Sequence, residues 1–410
     1  MAETTLGGGA KAASTSSLNN ARVAAAVRVG LAWLILGALV ALAFSLHETP
    51  NRGAAASFSL LIGVALGVIF QRGRFCFFCI FRDFIENRNS SGLFAVLSAL
   101  AVGGIGYAIV FGAFMPNPSG QGLPPDAHIG PVSWVLVAGG LAFGIGMALS
   151  GACISGHLYR LGEGYTRAPL ALFGAMIGFG GGFLTWHALY VEAISVAPVA
   201  WLPKTLGYGG SLALHLAALS LIAALLLRYL PELPPQAGGK LTWERLYQAV
   251  FVTRWNPLVT GALVGLIGVF AYFRVSPLGV TSQLGSLTRT VLNNAGWLSD
   301  RLIGLDGFAG CATRVVDTIT NNGFLIGGLA AGSLAIGLFT NRFQLSRLTL
   351  RGTLTALLGG VLMGWGAMVS LGCTIGTLLS GISAFAISGW LFGAAVFAGV
   401  WLGIKLRLHT

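Results

Sequence analysis

The sequence predicts an all-α polytopic membrane protein, and composition and the length of its apolar runs support that fold class. Of the 410 residues, 55% are hydrophobic and only 9% are charged, and the mean hydropathy is +0.81. In soluble domains about a quarter of the residues are charged, so this composition indicates a chain that lies in lipid. The apolar runs have the length of helices rather than strands, and a helix satisfies its backbone hydrogen bonds internally.

Ten apolar runs are long enough to cross a bilayer as helices. These runs are 29–46, 54–70, 92–114, 134–150, 168–190, 210–230, 256–273, 323–341, 353–370 and 384–404. Other apolar pieces lie beside Gly, Pro or Cys and are too short to span the membrane. They are predicted to be half-helices or re-entrant segments at 75–85, 152–162, 276–291 and 372–382.

The basic residues predict the orientation of the chain. The formal net charge is +12, but Lys and Arg stand in small groups between apolar runs, which is typical of topology signals rather than of nucleic-acid binding. With a cytoplasmic N-terminus, about three quarters of the 24 basic residues lie on the inner side. Both termini are therefore predicted to be cytoplasmic.

A Gly-Cys turn that occurs twice divides the chain into two repeats. The copies are Gly151-Ala152-Cys153-Ile154-Ser155-Gly156 and Leu371-Gly372-Cys373-Thr374-Ile375-Gly376. A constant offset aligns Gly139 with Gly359, Gly144 with Gly364, Ser150 with Ser370 and Cys153 with Cys373. The predicted topology sends the first copy inward and the second outward, so the repeats are expected to be inverted, with a site near the midplane.

The repeats predict the domain organisation. Residues 1–20, rich in Ala, Gly, Ser and Thr, are expected to form a disordered tail. The other predicted segments are an extra N-terminal helix at 21–53, a first repeat at 54–230, a cytoplasmic linker at 231–255 and a second repeat at 256–410, within which the polar stretch 292–322 forms an outer cap.

Each Gly-Cys turn is predicted to break a helix and begin a half-helix, whose free N–H groups attract an anion. The two cysteines are predicted to face each other across a pathway, where a thiol offers a weak, uncharged donor to a soft sulfur anion. A simple helix cap in a tightly packed protein is the alternative interpretation. Beside the cysteines, the predicted site residues are Gly151, Ile154, Ser155, Gly156, Gly372, Thr374 and Gly376.

A third cysteine motif lies at the predicted inner edge of the membrane, in the stretch from Gln71 to Asp83. It contains Cys76 and Cys79 together with basic residues, among them Arg74. The arginines could draw anions toward the site, or they could only anchor the inner face. Because no second Cys pair or His cluster completes a tetrahedral site, no metal or other cofactor is predicted.

Two further residues are weaker candidates. His157 follows Cys153 by one helical turn and is predicted to be a pore histidine or part of a gate. Cys311 lies in the outer cap, where it could contact an entering ligand or only fill space. The sequence has no Walker A pattern and no G-x-S-x-G elbow, so neither ATP-driven pumping nor a hydrolase is predicted.

The three cysteine motifs in this order, from Gln71, from Gly151 and from Gly372, resemble the YeeE/YedE family of sulfur transport proteins. The resemblance covers roughly residues 54–404. It implies an hourglass of inverted repeats in a bacterial inner membrane, in which Cys76, Cys153 and Cys373 pass thiosulfate inward through S–H contacts. It also implies a small TusA-like sulfur carrier as a cytoplasmic partner.

The predicted function is therefore a permease for a sulfur-containing anion, with thiosulfate as the first expectation, and not an enzyme. A second hypothesis is a membrane sensor that binds the same anion and signals to a cytoplasmic regulator. A third is a thiol redox enzyme, which would form a disulfide between Cys76 and Cys79.

Overall fold

A computed structural model describes residues 15–50, 53–120, 122–231, 242–305, 315–316 and 318–409. These described residues are almost entirely helical, and their only β feature is an isolated antiparallel bridge between Trp201 and Ala386. The all-α fold class predicted from composition is confirmed.

Ten helices are long and apolar enough to cross a membrane in the described parts of the chain, which matches the predicted number and identifies a multi-pass membrane protein. The main helices of these spans are α1 Thr15–His47, α2 Gly53–Gly73, α4 Ser91–Phe114, α5 Trp134–Ser150, α7 Arg167–Leu189, α8 Pro203–Leu227, α10 Pro257–Arg274, α12 Asn321–Phe339, α13 Leu350–Val369 and α15 Ile387–Lys405. The spans of α2 and α5 also include the short helix that follows each of them. A π-helical turn, Tyr190–Ile194, extends α7.

Short helices stand between the long ones. Four of them occupy the apolar pieces predicted to be half-helices: α3 Phe77–Asn87, α6 Ile154–Leu161, α11 Ser282–Asn294 and α14 Thr374–Ser383. The fifth, α9 Trp243–Tyr247, continues into a π-helical turn in the part of the predicted linker that the structure describes.

Two boundaries differ clearly from the sequence prediction. Helix α1 begins at Thr15, inside the predicted disordered tail, of which residues 1–14 lie outside the described residues. Helix α8 begins at Pro203 rather than near residue 210, because proline fits the first helical turn and Gly207, with φ of 66°, allows the helix to kink.

Helices α5 and α13, which lead into the two Gly-Cys turns, pack against each other at their glycines and run in opposite directions. A Cβ added at Gly139 would lie 3.0 Å from the carbonyl oxygen of Gly366, and one at Gly359 would lie 2.6 Å from that of Gly146. Because the pairing order is reversed along the chain, the two copies are antiparallel. This is the inversion that the sequence predicted.

Helices of the two predicted repeats also pack against each other. Gly63 and Gly67 of α2 pack directly against the backbone of α12, and Gly261 and Gly265 of α10 pack in the same way against α4. In both pairs the contacts advance in the same direction along the two helices, so the helices are parallel. Because glycine has no side chain, the two backbones can approach closely, which is the usual role of small residues between membrane helices.

Candidate functional site

Two buried thiols meet where helices α3 and α6 begin. Cys76 is the residue before α3 and Cys153 the residue before α6; both have extended backbone and no solvent exposure. Their Sγ atoms are 3.8 Å apart. The Sγ of Cys153 also accepts a hydrogen bond from the backbone N–H of Gly156, at 3.3 Å, and lies 3.2 Å from the hydroxyl of Ser155. Ser155 and Gly156 of the first motif thus lie against a sulfur pair.

Gly156 makes room for this pair. A Cβ at that position would stand 2.7 Å from the Sγ of Cys76 and 3.4 Å from the Sγ of Cys153. Any larger residue would have to push the thiols aside. Gly151, in the turn before Cys153, has a φ of 84°, a left-handed conformation that favours glycine.

The second motif forms a similar turn before α14. Cys373 has extended backbone, is 1% exposed and directly precedes Thr374, the first residue of α14. A Cβ at Gly372 would overlap the hydroxyl of Thr377. The segment from Thr374 to Ser380 is wound as a π-helix rather than an α-helix. The sequence predicted the break but not this winding.

The expectation that Cys153 and Cys373 face each other is corrected by the helix arrangement. The two turns lie at opposite ends of the antiparallel α5–α13 pair, and α5, with 17 residues, is about 25 Å long. The structure instead brings Cys153 against Cys76. Cys373 lies at the other end, where α14 packs against the loop that precedes α5.

Both repeats place an unpartnered polar group four residues after the motif cysteine. His157 is fully buried, and neither of its ring nitrogens has a hydrogen-bond partner among the described residues. Thr377, at the equivalent position of α14, is 4% exposed and its hydroxyl is likewise unpartnered. Buried polar atoms without partners are costly, which is consistent with groups that await a ligand or water.

His128 is a candidate that the sequence analysis missed. It lies in the loop between α4 and α5, and a Cβ at Gly376 would be 3.0 Å from its ring. It lines a small cavity, with room for about one water, together with Ser370, Leu371 and Thr377. Burial lowers the pKa of His128 to about 4, so its ring is neutral at neutral pH. Neither a motif nor the predicted repeat marks this residue.

The remaining candidates lie near a wider cavity of about 310 Å³ at the Cys153 end of the bundle. Cys79 and Arg74 both line it, and so does Arg160, which the sequence analysis did not single out. Arg160 follows His157 on the short helix α6, and this position in the motif helix is the signal that could have identified it. Cys311 lies outside the described residues.

The buried thiols can offer weak hydrogen bonds without adding charge. Cys76, Cys79, Cys153 and Cys373 are all outside disulfides, and a thiol is a weak donor toward a polarizable atom. Within the described part of the chain, no group of three or more His, Cys, Asp and Glu residues is arranged to hold a metal ion.

Comparisons with known proteins find similar sequences among transporters. A family model described as sulphur transport matches residues 72–402. Thiosulfate transporter TsuA of Escherichia coli is 28% identical over 371 residues, 83% of this chain and 92% of that protein. Thiosulfate transporter TsuA of Spirochaeta thermophila is 29% identical over 351 residues, 83% of this chain and 96% of that protein. Probable transporter YedE of Escherichia coli is 25% identical over 179 residues, 41% of this chain and 42% of that protein.

Proposed function

This chain belongs to the sulphur transport family, and on that premise we propose that it is a permease that imports thiosulfate along a path lined by cysteines. The observation that carries the proposal is the buried pair of Cys76 and Cys153, with Sγ atoms 3.8 Å apart at the starts of two short helices. Relatives named as thiosulfate transporters support the choice of anion.

The chemistry of the path follows from what each group can donate. The terminal sulfur of thiosulfate is soft and polarizable, so an S–H group suits it, while the oxygens accept hydrogen bonds from backbone N–H groups at the starts of α6 and α14. Ile154 and Ser155 supply such groups after Cys153, where the N–H of Gly156 already donates to the Sγ of Cys153. Thr374 and Gly376 supply them after Cys373. Weak, uncharged donors at several positions let the anion enter and also leave.

The direction of transport completes the proposal. The anion would enter at the Cys373 end, pass Cys373, and then reach Cys153 and Cys76, with both termini on the cytoplasmic side of a bacterial inner membrane. The excess of Lys and Arg on the inner loops supports this orientation. A TusA-like carrier would then receive the sulfur compound at the cytoplasmic face.

Uptake of radiolabelled thiosulfate into proteoliposomes tests the thiol path. We expect Cys76→Ala and Cys153→Ala each to lower the initial rate at low thiosulfate by about 10-fold or more, because a hydrogen bond to a charged group contributes about 1.5–3 kcal/mol. Cys153→Ser, which keeps a donor, should retain more activity than Cys153→Ala.

Ser211→Ala is the matched control, because it removes one buried polar atom from α8, away from the thiols, and this hydroxyl has no hydrogen-bond partner among the residues that the structure describes. It should transport like the unmodified protein. Unchanged uptake in both cysteine variants would remove the thiol path. If none of the proteins transports thiosulfate but each still binds it, the sensor hypothesis would take the place of the permease.

A further inference from the structure

The cavity at the Cys153 end has a strongly basic lining. It measures about 310 Å³, and the charged residues that line it are four arginines and one carboxylate: Arg74, Arg82, Arg160, Arg254 and Asp83. The volume is at the lower end of the range for small-molecule sites, so it can hold a small ion with several waters. Helices α3 and α6, which begin with the thiol pair, supply most of this lining.

Half of the positive charge in this cavity is balanced by carboxylates. Arg82 lies 3.0 Å from Asp83 and 3.8 Å from Glu86. Arg74, which is 43% exposed, lies 3.9 Å from Glu163. These pairs are long or solvent-exposed, so they restrain the two guanidinium groups only weakly.

The other two arginines have no carboxylate within 4 Å in the described parts of the chain. Arg160 donates one hydrogen bond to the carbonyl of Gly151, at 3.0 Å. Arg254 donates one to the carbonyl of Gly73, at 3.2 Å. The guanidinium of Arg160 also lies 6.0 Å from the ring of Tyr159 and 5.4 Å from that of Tyr165. Carbonyls and rings orient the two guanidinium groups, but none of these partners carries a negative charge. An anion in the cavity would supply the missing charge.

A thiol stands between this cavity and the buried sulfur pair. The Nη2 of Arg160 donates to the Sγ of Cys79 at 2.9 Å. Cys79 lies one helical turn after Cys76 on α3, and it is half-buried, whereas Cys76 and Cys153 are fully buried. Cys79 is therefore the sulfur atom that the cavity offers to an incoming or departing anion.

We propose that this cavity is a second anion-binding site, in which Arg160, Arg254 and Cys79 hold a doubly charged sulfur oxyanion at the Cys153 end of the path. Guanidinium groups recognise the oxygens of such an anion in pairs, and the thiol contacts its sulfur. The assignment of the anion as thiosulfate that has left the buried pair depends on the proposed function. The binding of an oxyanion there does not.

Charge selectivity at Cys79 tests the site without removing any residue. Inside-out membrane vesicles would be treated with negatively and positively charged methanethiosulfonate reagents of similar size, and modification of Cys79 would be measured by tandem mass spectrometry. We expect the anionic reagent to react about 10-fold faster, because a cavity of one sign concentrates counter-ions. Sulfate, an unreactive dianion, should slow the reaction more than chloride at equal ionic strength.

Two variants localise the effect. Arg254→Gln should reduce the preference for the anionic reagent by about 3-fold or more and weaken the protection by sulfate. Arg88→Gln removes the same charge from an exposed position at the end of α3 outside the cavity, so it should change neither. If Arg254→Gln does not fold, the rates of the two reagents with the unmodified protein still test the site.

Equal rates for the two reagents, or protection by sulfate no better than by chloride, would overturn this site. Sulfate protection that appears only in vesicles depleted of anionic lipid would show that lipid phosphate normally occupies the cavity, which would also overturn it. Neither result would count against the role proposed for the buried thiol pair. Conversely, cysteine variants with normal uptake would overturn the proposed function while selective protection of Cys79 still supported the second site.

Discussion

A single methyl group added at Gly156 would probe the space that the buried thiols share. In Gly156→Ala the new Cβ would be 2.7 Å from the Sγ of Cys76 and 3.4 Å from the Sγ of Cys153. Carbon atoms at optimal non-bonded separation are about 3.5–4.0 Å apart, so the thiol of Cys76 would have to move by roughly 1 Å. The substitution changes no charge and favours the helix, so its main effect falls on the sulfur pair.

The magnitude follows from the packing around Cys76. Phe75 and Phe77, on either side of Cys76 in the sequence, are buried, as is Phe70; the ring of Phe75 stacks on Phe70 and meets Phe77 edge-on, with centroids 5.5 Å apart in each pair. A displaced thiol therefore has little free space to enter. Overpacking of this kind costs about 1–3 kcal/mol. If the anion binds between the thiols, we expect its apparent affinity to fall by about 5- to 150-fold.

The assay is the concentration dependence of thiosulfate uptake in proteoliposomes. Gly327→Ala is the matched control, because a Cβ at Gly327, within α12, meets no atom within 4 Å. The control should transport like the unmodified protein. A Gly156→Ala protein that folds normally and shows an unchanged apparent affinity would refute the assignment of this space to the anion.

Three further substitutions test other parts of the structure. Gly67→Ala places a Cβ into the carbonyl oxygen of Leu329 on α12, so thermal unfolding in detergent should show a loss of about 1–3 kcal/mol, whereas Gly327→Ala should show none. Gly372→Ala overlaps the hydroxyl of Thr377 and should displace the turn at Cys373, lowering thiosulfate uptake by about 10-fold; normal uptake would contradict a role for this turn. His128→Asn tests the effect of burying a titratable ring. Burial lowers the pKa of His128 from 6.5 to about 4, so between these pH values the unfolded chain binds a proton that the native chain does not. The stability of the unmodified protein should therefore fall as the pH drops from 6.5 toward 4. At pH 5 this loss of stability is on the order of 2 kcal/mol relative to pH 8. An equal loss in His128→Asn would show that the pH dependence does not come from His128.

The membrane helices could be predicted because hydropathy and length leave few alternatives in lipid. The direction of the repeats followed from charge, and the antiparallel crossing of α5 and α13 agrees with it. The start of α8 was missed because Gly207 interrupts the pattern before residue 210, and a helix can continue through a kink at glycine. The start of α1 was missed because its first turns are polar.

The candidate site was only partly predictable. The three cysteine motifs were found, but which of them meet depends on how the short helices pack, and that is not encoded in local spacing. Cys76 and Cys153 are far apart in sequence and 3.8 Å apart in space. His128 comes from a loop rich in proline, where no periodicity or repeat marks a functional side chain. Arg160 lies on the motif helix α6, but its contact with Cys79 depends on how α6 packs against α3, which the sequence does not show.

The packing of helices from one half of the chain against helices from the other limits how this protein can move. Helix α2 lies against α12 and α10 against α4, in each case with glycine on one side and backbone on the other. A cycle in which one half swings past the other would have to pull these four helices apart. We therefore expect a stationary frame, in which only the short segments at either end open and close in turn while an ion crosses between them.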